Sequence, residues 1–405
     1  MRKIIVPQDA IRRHEETLGK ALLRYLEYLS RGMVLTWGKA NQYQATTPCV
    51  RRYWEWVYEE FKGKNILTAS PMVLIRFAKE NERRIRQAGL HCRNKALRHD
   101  IERVIEALFA YGNLRHGNVL AKAGVDNNGK VRIRWSTAAE NLTTWNGWSF
   151  AEYFRLLDIR YCPYCNAETV GLVKRIDIEG DRKDSYSAID HILPKDIYPL
   201  LALSLCNLVP ACYKCNSQFK GDKDLFDIEH WSPNTPLLAL HPYVHNVHAW
   251  FRFKYEPTSV ESMFVREEDG SSPVLVEPKN PLSTKLGKGN SSCLYFDRVD
   301  KYLAVFELPK SYRNLYAKEI NEILMGEMIC TREFVEEMKK RYGLSEKDFD
   351  FVFRRTSLDP REINQHRFAK LTIDLVKGFR QNVSRPQIIS AWKKWWRQRK
   401  RNVGS

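Results

Sequence analysis

Two cysteine pairs, Cys162-Pro-Tyr-Cys165 and Cys212-Tyr-Lys-Cys215, restrict what this chain can fold into more than any other feature. A CxxC turn aims two thiolates at one ion, and two such turns complete a tetrahedral four-cysteine site of the structural zinc kind. The loop between the pairs is longer than in simple zinc fingers and must hold structure of its own. Thioredoxin-like redox chemistry needs only one pair and explains less. The other five of the nine cysteines (Cys49, Cys92, Cys206, Cys293 and Cys330) stand singly and read as small buried apolar residues. Thiols that hold a metal presuppose a reducing compartment. Arg2 and Lys3 precede only three apolar residues before Pro7, too few for a signal-peptide core. No stretch approaches the roughly 20 apolar residues of a membrane span. The expectation is a cytoplasmic chain without a membrane partner.

The flanks read as helical. Apolar residues recur at helical intervals over 11–29 (Leu18, Leu22, Tyr25, Leu26, Leu29). Ser70-Pro71 is an N-cap with proline at the first helical position, opening a helix to about Gln87. Residues 95–111 repeat the pattern through Leu97, Ile101, Val104, Ile105 and Leu108. The glycine- and asparagine-rich stretch 117–129 reads as a loop, and 131–135 as a short strand. Ser149-Phe-Ala-Glu152 is a capping box whose helix delivers the chain to Tyr161. Beyond the second cysteine pair, 250–255, 263–266 and 274–277 suggest a small antiparallel element. From about Lys310 the pattern is helical again, with breaks near Gly343, Asp359-Pro360 and Arg385-Pro386. The chain thus divides into a helical region over 1–148, a central core over 149–235, and short strands followed by helices over 236–405.

Between the cysteine pairs, chemistry-bearing residues follow in order. Ser185-Tyr-Ser-Ala-Ile-Asp190-His191 is a short strand ending in an acid and an imidazole, followed by Pro194-Lys195. Then come Asn207-Leu-Val-Pro-Ala211, Cys212-Tyr-Lys-Cys215-Asn216 and Lys220-Gly221. In this order 161–221 resembles the HNH endonuclease superfamily. Its ββα-metal fold carries Asp-His on the first strand, Asn-Leu entering the second, and a CxxC with His or Asn opening the helix, often followed by Lys-Gly. The resemblance implies an α+β architecture: a ββα nuclease core with a zinc on Cys162, Cys165, Cys212 and Cys215, flanked by helical regions. It also implies a catalytic Mg²⁺ or Mn²⁺. The third name-giving position is Asn216 rather than histidine, as in many members, which favours an oxygen-ligated ion. The family's role for the position of Asn207, hydrogen-bonding the loop and orienting the base, carries over.

Hydrolysis of a phosphodiester requires a deprotonated water, neutralised phosphoryl oxygens and a stabilised leaving 3′ oxygen. His191, of a type that titrates near neutrality, is the candidate base. A hard divalent ion polarises the phosphate and holds the leaving oxygen. Asp190 and the side-chain carbonyl of Asn216 are its candidate ligands.

Lys and Arg outnumber Asp and Glu by 66 to 48, a formal charge of +18, which suits a polyanionic partner. Lys195 and Lys220 flank the motif and are candidates for phosphate contact; a solvated charge beside a turn is the plainer alternative. Over 392–401, Lys393, Lys394 and Arg397 interleave with Trp392, Trp395 and Trp396. Such a tail can neutralise phosphates and stack on bases, or pack its tryptophans on the protein. His241, His245 and His248 suggest a second metal site, but Pro242 interrupts the stretch and no acid accompanies them, so a structural role is expected. Tyr53, Trp54, Trp56 and Tyr58 read as helix core.

The segment Leu237-Leu-Ala-Leu-His-Pro-Tyr243 resembles the stretch after the core in the Septu-type and retron-associated HNH nucleases of bacterial phage defence. The resemblances together imply an antiviral effector that hydrolyses DNA to 5′-phosphate and 3′-hydroxyl ends, working with an ATPase or another defence subunit. A ribonuclease using the same site, for instance on transfer RNA, and a non-catalytic zinc module that binds nucleic acid are the alternatives.

Overall fold

Amphipathic helices build the first part of the chain. Gln8–His14 and Lys20–Ser30 are joined by a wider helical turn over Glu15–Gly19, and Leu18, Leu22, Tyr25, Leu26 and Leu29 are all buried. Thr47 caps Pro48–Lys64, with Pro48 at the first helical position where a missing N–H costs nothing. Asn65, at φ 47°, ends it. Tyr53 and Trp54 lie in the core, and Trp56 stacks on Phe77 of the helix Pro71–Gln87. Lys95–Leu108 follows. The computed structural model describes residues 2–87, 95–110, 112–113, 118–137, 148–170, 173–176, 182–185, 188–228, 230–232, 239–257, 263–264, 272–279, 291–384, 386–387, 390 and 393.

Small sheets punctuate these helices. Leu35–Trp37 pairs antiparallel with Asn41–Tyr43 and parallel with Val131–Arg132. The stretch expected as a loop over 117–129 contributes a strand, Asn118–Leu120, which pairs antiparallel with Trp135–Thr137. The strand expected over 131–135 is accordingly split between two sheets. Its alternation could not show that a two-residue break would send the halves to different partners. Val173–Ile176 pairs with Arg182–Ser185, and Ala188–His191 with Leu208–Ala211. Phe251–Tyr255 pairs with Val274–Pro278, as the alternation over 250–255 and 274–277 indicated. The third strand expected there, over 263–266, is not formed at Met263 or Phe264; the rest of it lies outside the described residues.

The C-terminal helices begin earlier than expected, at Ser291–Val305, and continue through Leu308–Asn314, Ala317–Ile329 and Arg332–Tyr342 to Ala369–Asn382. Gly343, at φ +64°, ends one of them in the left-handed conformation that glycine adopts without strain. The last helix lies against Phe251–Tyr255, where Gly378 passes the backbone of Tyr255 so closely that an added Cβ would meet the Tyr255 Cβ at 3.0 Å. The chain is therefore a mixture of α-helices and small β-sheets. Among the described residues no helix is long and apolar enough to cross a membrane.

Candidate functional site

The strand Ala188–His191 runs antiparallel to Leu208–Ala211, with Asp190 opposite Val209 and His191 opposite Leu208. The second strand feeds directly into the second cysteine pair and the helical turns Lys214–Lys220. Two paired strands and a short helical segment are thus contiguous with the second cysteine pair. The first cysteine pair folds onto it from the other side, since the Cys212 N–H donates to Cys162 Sγ at 3.4 Å.

All four paired cysteines are buried, and their sulfurs lie within 4.8 Å of one another. Cys165 Sγ and Cys212 Sγ are 3.9 Å apart. A tetrahedral zinc with bonds near 2.3 Å needs sulfurs about 3.8 Å apart, so the donor set fits that ion, and the spacing is far too long for a disulfide. Burial raises the Cys162 thiol, but hydrogen bonds from Cys165, Cys212 and Cys215 outweigh it and bring it well below a free thiol. Cys165 and Cys215 are pushed up, first of all by their bonds to Cys162. A bound dication would favour the thiolate form of the sulfurs that hold it.

Helices from the far end of the chain cover this cluster. The Tyr302 hydroxyl donates to the Tyr164 carbonyl at 3.0 Å, and the Tyr312 hydroxyl to the Cys165 carbonyl. The Tyr316 hydroxyl reaches Glu168 Oε1 at 3.0 Å, and the Tyr164 ring stacks on Phe306 at 4.3 Å. Asn166, left-handed at φ 58°, donates from Nδ2 to the carbonyls of Ile363 and His366, and its Oδ1 accepts from the Lys370 N–H.

Asp190 lies beneath the cluster with 1% of its side chain exposed. Its Oδ2 accepts from the hydroxyl of Tyr164, the residue inside the first CxxC turn. Burial and the Asp190 charge hold that phenol well above its ordinary range, so it stays a donor. The Asp190 Oδ1 is 2.8 Å from Lys220 Nζ, which is itself 1% exposed and also donates to the His191 carbonyl at 2.8 Å. Lys220 is one of the two lysines named as candidates for phosphate contact, with a solvated charge beside a turn as the alternative. It is instead an interior cation, because the helical turn that opens at the second cysteine pair aims it inward. Asn216 stands half-buried one turn before it.

His191 is 7% exposed, and its Nε2 lies 3.0 Å from the Ala202 carbonyl. A carbonyl only accepts, so Nε2 carries the proton and the basic lone pair is on Nδ1. Burial, countered by the Ala202 bond and reinforced by Lys195 and Lys220, lowers the imidazole to about 4. It is therefore neutral at physiological pH.

Asn207 fixes the loop that supplies this carbonyl. Its Oδ1 accepts from the Leu193 N–H at 2.7 Å, and its Nδ2 donates to the carbonyls of Leu193 and Leu201 at 3.1 and 3.0 Å. Further braces escaped the sequence reading. His14 Nε2 bonds the Leu203 carbonyl at 2.8 Å, Tyr153 donates to the Leu205 carbonyl at 3.0 Å, and Tyr243 donates to the Leu208 carbonyl. The only hint of the last was the position of Tyr243 in the segment after the core.

Lys195 pairs with its neighbour Asp196 at 2.6 Å and lines a cavity of about 650 Å³ with Glu82, Glu102 and Glu106. That is a carboxylate-rich setting, unlike the one expected of a phosphate contact. Lys393 is exposed; Lys394, Trp395 and Arg397 lie outside the described residues. In the histidine group, His241 Nδ1 accepts the Tyr243 N–H at 3.2 Å and His245 Nδ1 the His241 N–H at 2.9 Å. Their ring nitrogens thus serve the local backbone. Among the described residues the four cysteines are the one cluster of three or more His, Cys, Asp or Glu groups able to hold a metal.

Fold and site together define a mixed α and β chain with a buried four-cysteine cluster able to hold a metal such as zinc, beside an acid–imidazole pair at a strand end. Over 63 residues the chain is 43% identical to the Septu protein PtuB of Bacillus thuringiensis, a match covering 16% of this chain and 20% of that protein. The likeness therefore spans a fifth of that relative's length. No protein-family profile and no solved structure matches the chain.

Proposed function

We propose that the chain is an HNH-type nuclease that hydrolyses DNA and serves as an effector of bacterial antiviral defence, alongside a partner subunit such as an ATPase. The observation that carries this reading is the placement of His191: it ends its strand with Nε2 fixed on the Ala202 carbonyl, which leaves Nδ1 as the acceptor nitrogen. It closes a strand whose partner strand leads into a four-cysteine clip, the order in which an HNH core places its base. In this reading Nδ1 takes a proton from water as the water oxygen bonds to phosphorus, and the bond from phosphorus to the 3′ oxygen breaks, the leaving oxygen taking up a proton from solvent. Asn207 acts at one remove, by fixing the loop that carries Ala202. The formal charge of +18 suits the polyanion. The likeness to a Septu protein supports the defence setting.

The two metals stand differently. Zinc fits the four sulfurs, with a structural part: it would clamp the two CxxC turns on either side of the strand pair. A catalytic divalent ion does not fit as the residues stand, because Lys220 and Tyr164 already engage both oxygens of Asp190. No step is assigned to such an ion.

The test is incubation of the zinc-loaded protein with plasmid and with total RNA in Mg²⁺, with and without chelator. The expected outcome is DNA cleavage by the wild type and at least a hundredfold loss in His191→Ala with DNA binding retained. Degradation of RNA alone would transfer the site to a ribonuclease. Binding without cleavage of either would leave a zinc module.

A further inference from the structure

We propose that Lys220 is a built-in cation occupying the position beside Asp190 where a divalent ion is expected, so that metal enters only when the lysine is withdrawn. This rests on the nuclease reading above and adds a control to the same site.

Three oxygens converge on the ammonium group. Lys220 Nζ is 2.8 Å from Asp190 Oδ1, 2.8 Å from the His191 carbonyl and 3.5 Å from the Gly221 carbonyl. A carboxylate with backbone carbonyls is the kind of donor set that hard divalent cations take. Gly221, at φ +52°, makes the third contact possible, because it turns the chain back immediately after the lysine. Both members of the ion pair are 1% exposed, so neither charge has water as a substitute partner. Removing the lysine leaves a buried carboxylate whose side-chain donor among the described residues is the neutral Tyr164 hydroxyl, and which is in need of positive charge. The lysine rides on the helical turns Lys214–Lys220, which contain Cys215 of the metal clip and Asn216.

The experiment is a Mn²⁺ titration of the zinc-loaded full chain, followed by the paramagnetic resonance signal of free Mn²⁺ and needing no nucleic acid. Lys220→Met is expected to bind one Mn²⁺ at least tenfold more tightly than the wild type. The double variant with Asp190→Asn should lose that gain. Added Mn²⁺ should raise the melting temperature of Lys220→Met and leave that of the wild type unchanged. If Lys220→Met does not fold, Lys220→Gln, which keeps an N–H donor for Asp190, takes its place with the same expectation. Mn²⁺ affinity equal to wild type in the folded variant overturns the proposal, as does a gain that survives Asp190→Asn. A wild type that cuts DNA while the lysine variants gain no affinity keeps the nuclease and loses the control. A chain that cuts nothing, with the gain present, does the reverse.

Discussion

Asn207 shows how much one side chain can hold. Its amide supplies one acceptor and two donors to a loop between two paired strands, and all three bonds are buried. Replacing it with alanine leaves the Leu193 N–H and the carbonyls of Leu193 and Leu201 short of a partner where water does not reach. Asn207→Ala is expected to lose about 3 kcal/mol of stability or more, at about one kcal/mol or more for each of the three desolvated groups. Urea denaturation measures this, and a loss below about half a kcal/mol would mean the loop holds without it. At this scale the sequence named the residues better than their contacts. Asp190, His191, Asn207 and Asn216 could be picked out because they follow one another in a fixed order between and directly after the cysteine pairs. That Lys220 turns inward depends on a helical turn packing back on a strand 29 residues earlier in the chain. That Tyr164 reaches Asp190 depends on the first CxxC turn crossing the strand pair. Neither residue's type or spacing announces such a contact.

Elements were legible where a period or a cap marked them. The helices over 8–30 and 71–87 follow from apolar spacing and from proline at the first position, and Ser149 accepts the Glu152 N–H at 3.3 Å as an N-cap should. The reciprocal half of that box is not made, because Glu152 is drawn to Arg13 and Arg155. Short strands such as Asn118–Leu120 were missed, since three residues carry too little alternation to read. The four-cysteine clip was the most legible element of all, and it makes a firm prediction. The purified chain should carry one tightly held zinc, measured by mass spectrometry. Cys165→Ser should lower zinc occupancy and reduce the melting temperature by on the order of 10 °C, because a structural ion contributes its binding energy to folding. A metal-free wild type that melts at the same temperature as the loaded one would refute this.

Over the whole molecule, buried imidazoles tie stability to acidity. The buried His14 and His191 and the half-buried His245 are lowered to about 4, and the buried His241 to about 3, in each case chiefly by burial. In the unfolded chain they titrate near 6.5, so between these values the unfolded state binds more protons than the folded one. Their contribution is therefore complete above about pH 6.5 and is lost as the pH falls through the window toward 4. At pH 5 the loss is on the order of 1–2 kcal/mol per ring. The slope of unfolding free energy against pH near 5.5 should correspond to uptake of roughly three to four protons by these four rings. A flat profile between pH 5 and 7 would contradict the burial described for these rings.

The tyrosines that close over the cysteine clip have a further consequence, one of timing. A ribosome emits this chain from residue 1 onward, and His191 leaves the exit tunnel long before Tyr302, Phe306, Tyr312 and Tyr316 are made. Until those side chains arrive, the carbonyls of Tyr164 and Cys165 and the flat face of the Tyr164 ring have no cover. A prematurely terminated product would therefore carry Asp190 and His191 without the tyrosine roof over the neighbouring cysteine clip.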